Sequence, residues 1–258
     1  MKIIEVSGLS ISLGGKNILR DVSFDVGDGD FLCVVGRNGA GKSTLFKCVC
    51  GLHKNFQGAV KLGGKVHQRM NARERARIVA YVPQSMPPDI PYTVGEFMEM
   101  SRYPWQGVSS VRDDERAVSE AISLAGIEEF TTRRMRELSG GERQKVIIAS
   151  AIAQGSEAIL MDEPTTFLDY AHQMEAMELL TRVNREKKIT MLVITHDINL
   201  AVRTSGKVLA LSEGAVKWMG NPSGLQEPDL LRSIFGVTFE RYFSKPGDTC
   251  PILAPALQ

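Results

Sequence analysis

A glycine-rich segment directly after an apolar run contains the residue types needed to bind phosphate. Residues 36–44 read Gly-Arg-Asn-Gly-Ala-Gly-Lys-Ser-Thr and follow the run 31–35. Glycines permit backbone angles and a close approach that a side chain would block. The N–H groups of such a loop and of the following helix N-terminus can surround an anion. The spacing therefore predicts a nucleotide phosphate site, whose contacts we assign to Gly36, Asn38, Gly39, Ala40, Gly41, Lys42, Ser43 and Thr44.

Side chains from two segments can act on a bound nucleotide. Lys42 can supply positive charge to the β- and γ-phosphates, and the Ser43 hydroxyl can ligate Mg²⁺. Such a site needs a carboxylate at the end of a second strand, and Asp162 follows the apolar run 158–161. We therefore expect Asp162 to hold Mg²⁺. The adjacent Glu163 would then accept a proton from the attacking water.

Two further polar residues follow apolar runs and could join this site. His196 comes after the run 191–194 and could hydrogen-bond the γ-phosphate. Gln84 follows the run 78–82 and Pro83, and its amide could contact the metal and the water. Taken alone, a histidine in such a place is more often structural, and a loop glutamine carries little information.

The surrounding sequence predicts an α/β fold. Short runs rich in Val and Ile predict strands, and several are apolar throughout, as in parallel strands covered on both faces. Residues 110–125 show the periodicity of an amphipathic helix. We interpret 85–157 as a mostly helical insertion that opens with Pro87, Pro88 and Pro91, and the residues after 244 as a loosely ordered tail. The predicted strands are 3–6, 31–35, 78–82, 159–161, 191–194 and 208–211.

Composition excludes several classes of protein. The 258 residues carry 31 basic and 30 acidic side chains, a formal charge of +1, which argues against broad nucleic-acid binding. No apolar run approaches the roughly 20 residues of a membrane span, and the first residues lack the apolar stretch of a signal peptide. The four cysteines, at 33, 48, 50 and 250, do not have the spacing of a zinc site and are expected to be small buried side chains.

A further segment makes the combination specific. Residues 138–144 read Leu-Ser-Gly-Gly-Glu-Arg-Gln and resemble the signature motif of ABC-type ATPases. The other motifs follow in the order of that family, and the resemblance covers roughly residues 2–240. In the family's terms they are Walker A at 36–44, Q-loop Gln84, signature 138–142, Walker B with Asp162 and Glu163, D-loop Leu168 and Asp169, and switch His196.

The resemblance implies a fold and a domain organisation. The fold class is α/β, a P-loop NTPase with a RecA-like parallel sheet, an antiparallel β-subdomain and a helical signature subdomain. Residues 1–243 would form one ABC ATPase domain, with its core at about 1–84 and 158–243 and the helical subdomain at about 85–157. Residues 244–258 would be a C-terminal tail.

The resemblance also implies roles for individual residues. ATP hydrolysis would use Lys42, Gln84, Glu163 and His196, and Mg²⁺ would be held by Ser43, Gln84 and Asp162. Two copies would pair head to tail, so that each signature segment completes the ATP site of the other. Leu13 stands where the family usually has an aromatic residue that stacks on adenine, which predicts similar binding of ATP and GTP. The additional nucleotide contacts would be Leu13, Ser139, Gly140, Gly141 and Asp169.

Several stretches resemble the importers of metal chelates, namely ferric siderophores, haem and cobalamin. They are 71–84, 101–104 and 163–173, and importers of molybdate and other oxyanions share parts of them. The resemblance implies two membrane-spanning permease subunits, a substrate-binding protein outside the cell, and a peripheral location at the cytoplasmic face of the membrane. The permease would contact about 84–104, where the apolar residues are Met86, Ile90, Tyr92, Phe97, Met98, Met100 and the neighbouring Trp105.

The sequence disfavours two alternative functions and leaves a third open. A soluble ABC ATPase that acts on nucleic acid is disfavoured, because the chain has one cassette and lacks sustained heptads. A nucleotide-binding module without catalysis is disfavoured by the presence of both Glu163 and His196. The ATPase subunit of an exporter stays open, since the motor residues do not encode the direction of transport.

Overall fold

The structure is a computed structural model that describes residues 1–87, 89–166, 168–243 and 251–256. In chain order, the strands are β1 (Lys2–Leu13), β2 (Lys16–Gly27), β3 (Phe31–Val35), β4 (Gln57–Leu62), β5 (Lys65–Val66), β6 (Val79–Val82), β7 (Ala158–Asp162), β8 (Thr190–Ile194), β9 (Lys207–Ser212), β10 (Ala215–Gly220), β11 (Phe239–Tyr242) and β12 (Ile252–Pro255). The helices are α1 (Lys42–Val49), α2 (Ala72–Ile78), α3 (Val94–Met100), α4 (Val111–Ala125), α5 (Gly140–Ala153), α6 (Tyr170–Lys187), α7 (Ile198–Thr204), α8 (Pro222–Leu225) and α9 (Pro228–Phe235).

A six-stranded sheet in the order β10-β9-β3-β8-β7-β6 forms the centre of the fold. All its neighbouring strands are parallel except β10, which pairs antiparallel with β9 at the edge. Every residue of β3, β7 and β8 is buried, which explains their uninterrupted apolar sequences. Because parallel strands end at the same edge, the segments after β3, β7 and β8 lie together there.

A second, antiparallel sheet has the order β2-β1-β4-β5. Its buried residues, among them Leu9 and Val22, form one apolar cluster with Leu45 and Phe46 of α1 and with Leu32 of β3. Several register shifts interrupt the pairing of β1 with β2, so the alternation that would reveal these strands is broken in the sequence. The two sheets together confirm the predicted α/β class with a parallel core and an antiparallel β-subdomain.

Helices α3, α4 and α5 lie between β6 and β7 in the chain; α5 contacts β6, and α3 and α4 pack on α5. Met98 and Ile148 are fully buried in the apolar cluster on this other face of the central sheet. Helix α4 confirms the helix predicted at 110–125: the Ser110 hydroxyl accepts the Asp113 N–H at its start, and Gly126, at φ 61°, ends it. Ile90 and Met98 are core residues, 8% and 0% exposed, so a partner-contacting role is wrong for these two. The division at 85 and 157 stays a prediction.

The C-terminal residues contain more structure than expected. Strand β12 pairs with β11, and Leu253 is 3% exposed. The Asn199 amide donates to Leu253 O at 3.0 Å and accepts from Leu253 N at 2.8 Å, which fixes β12 to α7. A loosely ordered tail is therefore wrong for 252–255, while 244–250 lie outside the described residues. Within the described ranges, no helix combines the length and apolar character needed to cross a membrane.

Candidate nucleotide site

The loop between β3 and α1 is built so that only glycine fits at two positions. Gly36 has φ 148°, and a Cβ there would lie 2.1 Å from the Leu211 carbonyl oxygen. Gly41 has φ 99°, and its Cβ would lie 2.6 Å from Leu19 Cδ2. The loop therefore presents bare backbone in front of the α1 N-terminus, which suits an anion. Asn38 and Gly39 are exposed, Ala40 is buried and Thr44 is half-buried.

Lys42 is the first residue of α1, and its side chain is folded back over this loop. Its Nζ donates to Gly36 O at 2.8 Å and to Arg37 O at 3.2 Å. Burial lowers the pKa of the Lys42 ammonium, while the nearby charges of Glu163 and Asp162 act in the opposite direction. The ammonium is thus held at the loop by backbone carbonyls, in position to meet a phosphate.

Asp162, the last residue of β7, contacts the phosphate loop directly. The Ser43 hydroxyl donates to Asp162 Oδ1 at 3.0 Å, and the Tyr81 hydroxyl donates to Oδ2 at 3.3 Å. Asp162 is 3% exposed, and this burial raises the pKa of its carboxyl, although the bonds from Ser43 and Tyr81 act to lower it. No role for Tyr81 was predicted, because its position in an apolar run does not show that its hydroxyl reaches the neighbouring strand β7.

Glu163 gathers the remaining polar residues of the site. It has φ 49°, and its Oε2 accepts from Gln84 Nε2 at 3.0 Å and from the Thr166 hydroxyl at 2.9 Å. His196 Nδ1 lies 3.8 Å from the same oxygen. Two other predicted residues, Gln84 and His196, thus lie at the Glu163 carboxylate from separate loops. Thr166 was missed, because a threonine three residues from the acid carries no distinctive pattern.

The segment 138–142 begins helix α5. The Ser139 hydroxyl accepts the Glu142 N–H at 3.3 Å, and Glu142 Oε2 accepts the Ser139 N–H at 2.7 Å, so the helix starts with a capping box. Ser139 and Gly140 are exposed. An exposed helix N-terminus attracts negative charge, so this end of α5 can bind a phosphate presented from outside.

Asp169 and Leu13 lie at two other points of the surface. Asp169 is exposed and caps helix α6, where its Oδ1 accepts the His172 N–H at 2.9 Å. Leu13 is 37% exposed at the end of β1. The one aromatic residue of the β1–β2 hairpin, Phe24, is 7% exposed and packed in the core, so it offers no ring to a nucleotide base.

The protein-family model described as "ABC transporter" matches residues 19–166 of the chain. The chain belongs to the ABC transporter family. Among its curated relatives is the iron(3+)-hydroxamate import ATP-binding protein FhuC of Bacillus subtilis (strain 168), 36% identical over 93% of this chain and 90% of the relative. Another is the ferric enterobactin transport ATP-binding protein FepC of Escherichia coli (strain K12), 34% identical over 89% of this chain and 85% of the relative.

Solved structures agree with this assignment. A metal-chelate type ABC transporter in an inward-facing conformation superimposes with a TM-score of 0.85 at 26% identity and covers 100% of this chain and 99% of its own. A dimeric ATP-binding cassette in a post-hydrolysis state, bound to ADP and Pi, superimposes with a TM-score of 0.74 at 26% identity and covers 85% and 98%. This chain is accordingly an ATP-binding ABC ATPase.

Proposed function

We propose that this ABC ATPase powers the import of a metal chelate, such as a ferric siderophore, haem or cobalamin. The proposal that the chain hydrolyses ATP with these residues rests on one observation: Gln84 and His196 both lie at Glu163, beside the phosphate loop. The import part is supported by relatives whose names specify import of iron-hydroxamate and transport of enterobactin. These names favour a chelate over the alternative cargo, an oxyanion such as molybdate.

The residues of the site fit a Mg²⁺ ion bound with the nucleotide. Ser43 Oγ and Asp162 Oδ1 converge within 3.0 Å, and hard oxygen donors of this kind are the ligands that Mg²⁺ prefers. Gln84 uses its amide nitrogen on Glu163, which leaves its oxygen as the acceptor for a cation. We propose Ser43, Asp162 and Gln84 as the residues that hold Mg²⁺. The ion would supply charge that neutralises the β- and γ-phosphates.

The chain's own side chains would then divide the work of hydrolysis. The Glu163 carboxylate orients the attacking water and accepts its proton. Hydrogen bonds from Gln84 and Thr166 fix that carboxylate, so it does not need to reorient during the reaction. Lys42 and His196 stabilise the charge that develops on the transferred phosphoryl group.

A second copy of the chain would complete each site. The exposed N-terminus of α5, with Ser139, Gly140 and Gly141, would face the γ-phosphate bound to the other copy, and Asp169 would lie at the same interface. Support comes from the exposure of Ser139 and Gly140 and from the dimeric arrangement of the related cassette. ATP would then hold the pair together until hydrolysis releases it.

The permease would dock in an open groove of the helical region, which we call the α3–α4 groove. It has a volume of about 1040 Å³, and its exposed apolar lining includes Tyr92, Met100, Tyr103 and Val111. Among the described residues, its acidic lining comprises Glu96, Glu99, Asp114, Glu115 and Glu128. The single basic residue of this described lining is Arg102, which is paired with Asp114 at 2.8 Å. We infer that it receives a permease segment with apolar and basic side chains. The permease pair would hold the chain at the cytoplasmic face of the membrane and receive cargo from an external binding protein.

The substitution Glu163→Gln tests the ATPase mechanism. It keeps the size of the side chain and removes its capacity to take a proton, so hydrolysis should fall by about 10²–10⁴-fold while ATP still binds. Because ATP is no longer consumed, the variant should accumulate as a dimer with Mg²⁺ and ATP. Phosphate release and size-exclusion chromatography measure these two effects.

A second variant, in the phosphate loop, provides the comparison for this test. Lys42→Ala should lose nucleotide affinity and should not form the ATP-dependent dimer, because the phosphates lose their main cation. Turnover at the native rate in Glu163→Gln would contradict the role of Glu163 as the base.

A further inference from the structure

The imidazole of His172 lies directly against the backbone of the signature segment. A Cβ at Gly141 would lie 2.3 Å from His172 Cδ2 and 2.8 Å from its Nε2. Gly141 is buried and His172 is half-buried. The ring therefore fills the space that the missing side chain of Gly141 leaves, and the two residues join the beginnings of α5 and α6.

The same ring is bound to Asp169 of the D-loop. His172 Nδ1 lies 2.8 Å from Asp169 Oδ1, the oxygen that also accepts the His172 backbone N–H at 2.9 Å. An ionised carboxylate only accepts hydrogen bonds, so Nδ1 carries the hydrogen. The backbone N–H and the ring of His172 hold the pKa of Asp169 below its usual value, which keeps the carboxylate ionised and the contact intact at neutral pH.

These contacts link two segments that the proposed dimer must use together. Ser139 at the start of α5 and Asp169 at the start of α6 would both face the second copy. We propose that His172 is a positioning residue that fixes Asp169 relative to the signature helix, so that one copy presents both segments to the other in a single arrangement. This inference rests on the ATP-dependent dimer proposed above.

The substitution His172→Ala should separate ATP binding by the single chain from dimer formation. His172→Ala leaves the phosphate loop unchanged, so ATP binding to the single chain should stay at the native level. The ATP concentration for half-maximal dimer formation should rise about tenfold, the usual effect of losing a charge-assisted hydrogen bond, and kcat should fall with it. His172→Asn places an amide N–H where Nδ1 lies but leaves the space over Gly141 unfilled, so it should restore both values only in part.

The experiment follows ATP-dependent dimerisation by analytical ultracentrifugation in the Glu163→Gln background. A weaker dimer with His172→Ala and partial recovery with His172→Asn support the inference, whereas full recovery with His172→Asn overturns the role of the contact with Gly141. Equal dimerisation of the parent and the His172→Ala variant overturns it and leaves the proposed function intact. A Glu163→Gln chain that stays monomeric at saturating Mg²⁺ and ATP overturns the dimer and this inference together.

Two control variants address a general loss of packing. The ion pair between Lys145 and Glu175, 2.6 Å apart, also joins α5 to α6, and Lys145→Ala removes it without touching Asp169. His53→Ala removes a half-buried imidazole elsewhere. Both should dimerise as the parent does, and a loss with Lys145→Ala as large as with His172→Ala would overturn the specific role of the ring.

The contact itself can be measured through stability. Gly141→Ala should lower the melting temperature in the native chain, because its Cβ would collide with the ring. The same substitution should cost less in the His172→Ala background, where the space is open. Equal losses in the two backgrounds would overturn the contact on which the inference depends.

Discussion

Asp162 shows that the chemistry of the site has a cost in stability. Burial raises the pKa of its carboxyl in the folded chain, so at neutral pH the folded state must carry a charge that the unfolded chain carries more easily. The stabilisation that a raised pKa gives to the folded state is fully present below the unfolded pKa and is lost as the pH rises through the folded pKa. At pH 7 the Asp162 carboxylate therefore destabilises the folded, nucleotide-free protein.

Asp162→Asn should consequently make the protein more stable and inactive. Asparagine can accept from one of the Ser43 and Tyr81 hydroxyls through its oxygen and donate to the other through its amide nitrogen. The melting temperature should therefore rise about 2–4 °C, as for about 1 kcal/mol in a chain of this size. The gain should shrink as the pH is lowered toward about 4, where the carboxyl is protonated in the unfolded chain too. Calorimetry at several pH values, with the exposed Asp25→Asn as control, measures this; a loss of stability at pH 7 would refute it.

Leu13 should make the site tolerant of different bases. The hairpin offers an aliphatic side chain where stacking would need a ring, so competition binding should show similar affinities for ATP and GTP. Leu13→Tyr should raise the affinity for ATP about tenfold, the usual worth of one base–aromatic stack. Leu52→Tyr, at a 61% exposed position after α1, serves as control. Strong selection of ATP by the native chain would count against this assignment.

At the scale of single residues, much of the candidate site could be predicted from sequence. Lys42, Asp162 and Glu163 each follow a recognisable strand, and a parallel sheet necessarily brings such positions to one edge. Tyr81 and Thr166 could not be found in this way, because their bonds to the two carboxylates depend on side-chain directions. A motif records which residues recur in order, and it does not record what orients them.

At the scale of the elements, the proposed contact of the α3–α4 groove with a permease can be tested. Val111 is 75% exposed and is the first residue of α4, where an acidic side chain favours the helix. Val111→Glu should therefore fold normally and reduce co-purification with a membrane permease several-fold, since a charge replaces an apolar contact. Leu52→Glu is the matched control, and co-purification unchanged by Val111→Glu would place the permease elsewhere.

The accuracy of prediction differed between elements for physical reasons. Strand β3 and helix α4 were located to within one residue, since one is apolar throughout and the other has a capped, periodic sequence. Strand β1 was found only in part, because bulges break its alternation over Lys2–Leu13. Strand β12 was missed because its burial depends on Asn199, more than 50 positions away in the chain.

At the scale of the whole molecule, each copy is proposed to complete the ATP site of the other, so two inactive variants should restore ATPase activity when they are mixed. Lys42→Ala lacks its phosphate loop cation, and Ser139→Ala lacks the group lent to the other copy, so each alone should be inactive. Mixing them should recover part of the native ATPase rate, because each mixed dimer has one complete site, made of the Ser139→Ala phosphate loop and the Lys42→Ala signature segment. A mixture as inactive as its two components would argue that the sites are not shared between copies.

The hydroxyl of Ser139 suggests how such a molecule could be silenced without being unfolded. A hydroxyl has one hydrogen and two lone pairs, and α5 uses only a lone pair, in accepting the Glu142 N–H. The hydrogen thus remains available for a phosphoryl oxygen, so one small group serves its own helix and a neighbour's ligand without competition. A carboxylate in its place would cap the helix equally well and repel the triphosphate, which would yield a well-folded decoy subunit able to occupy permeases and block uptake.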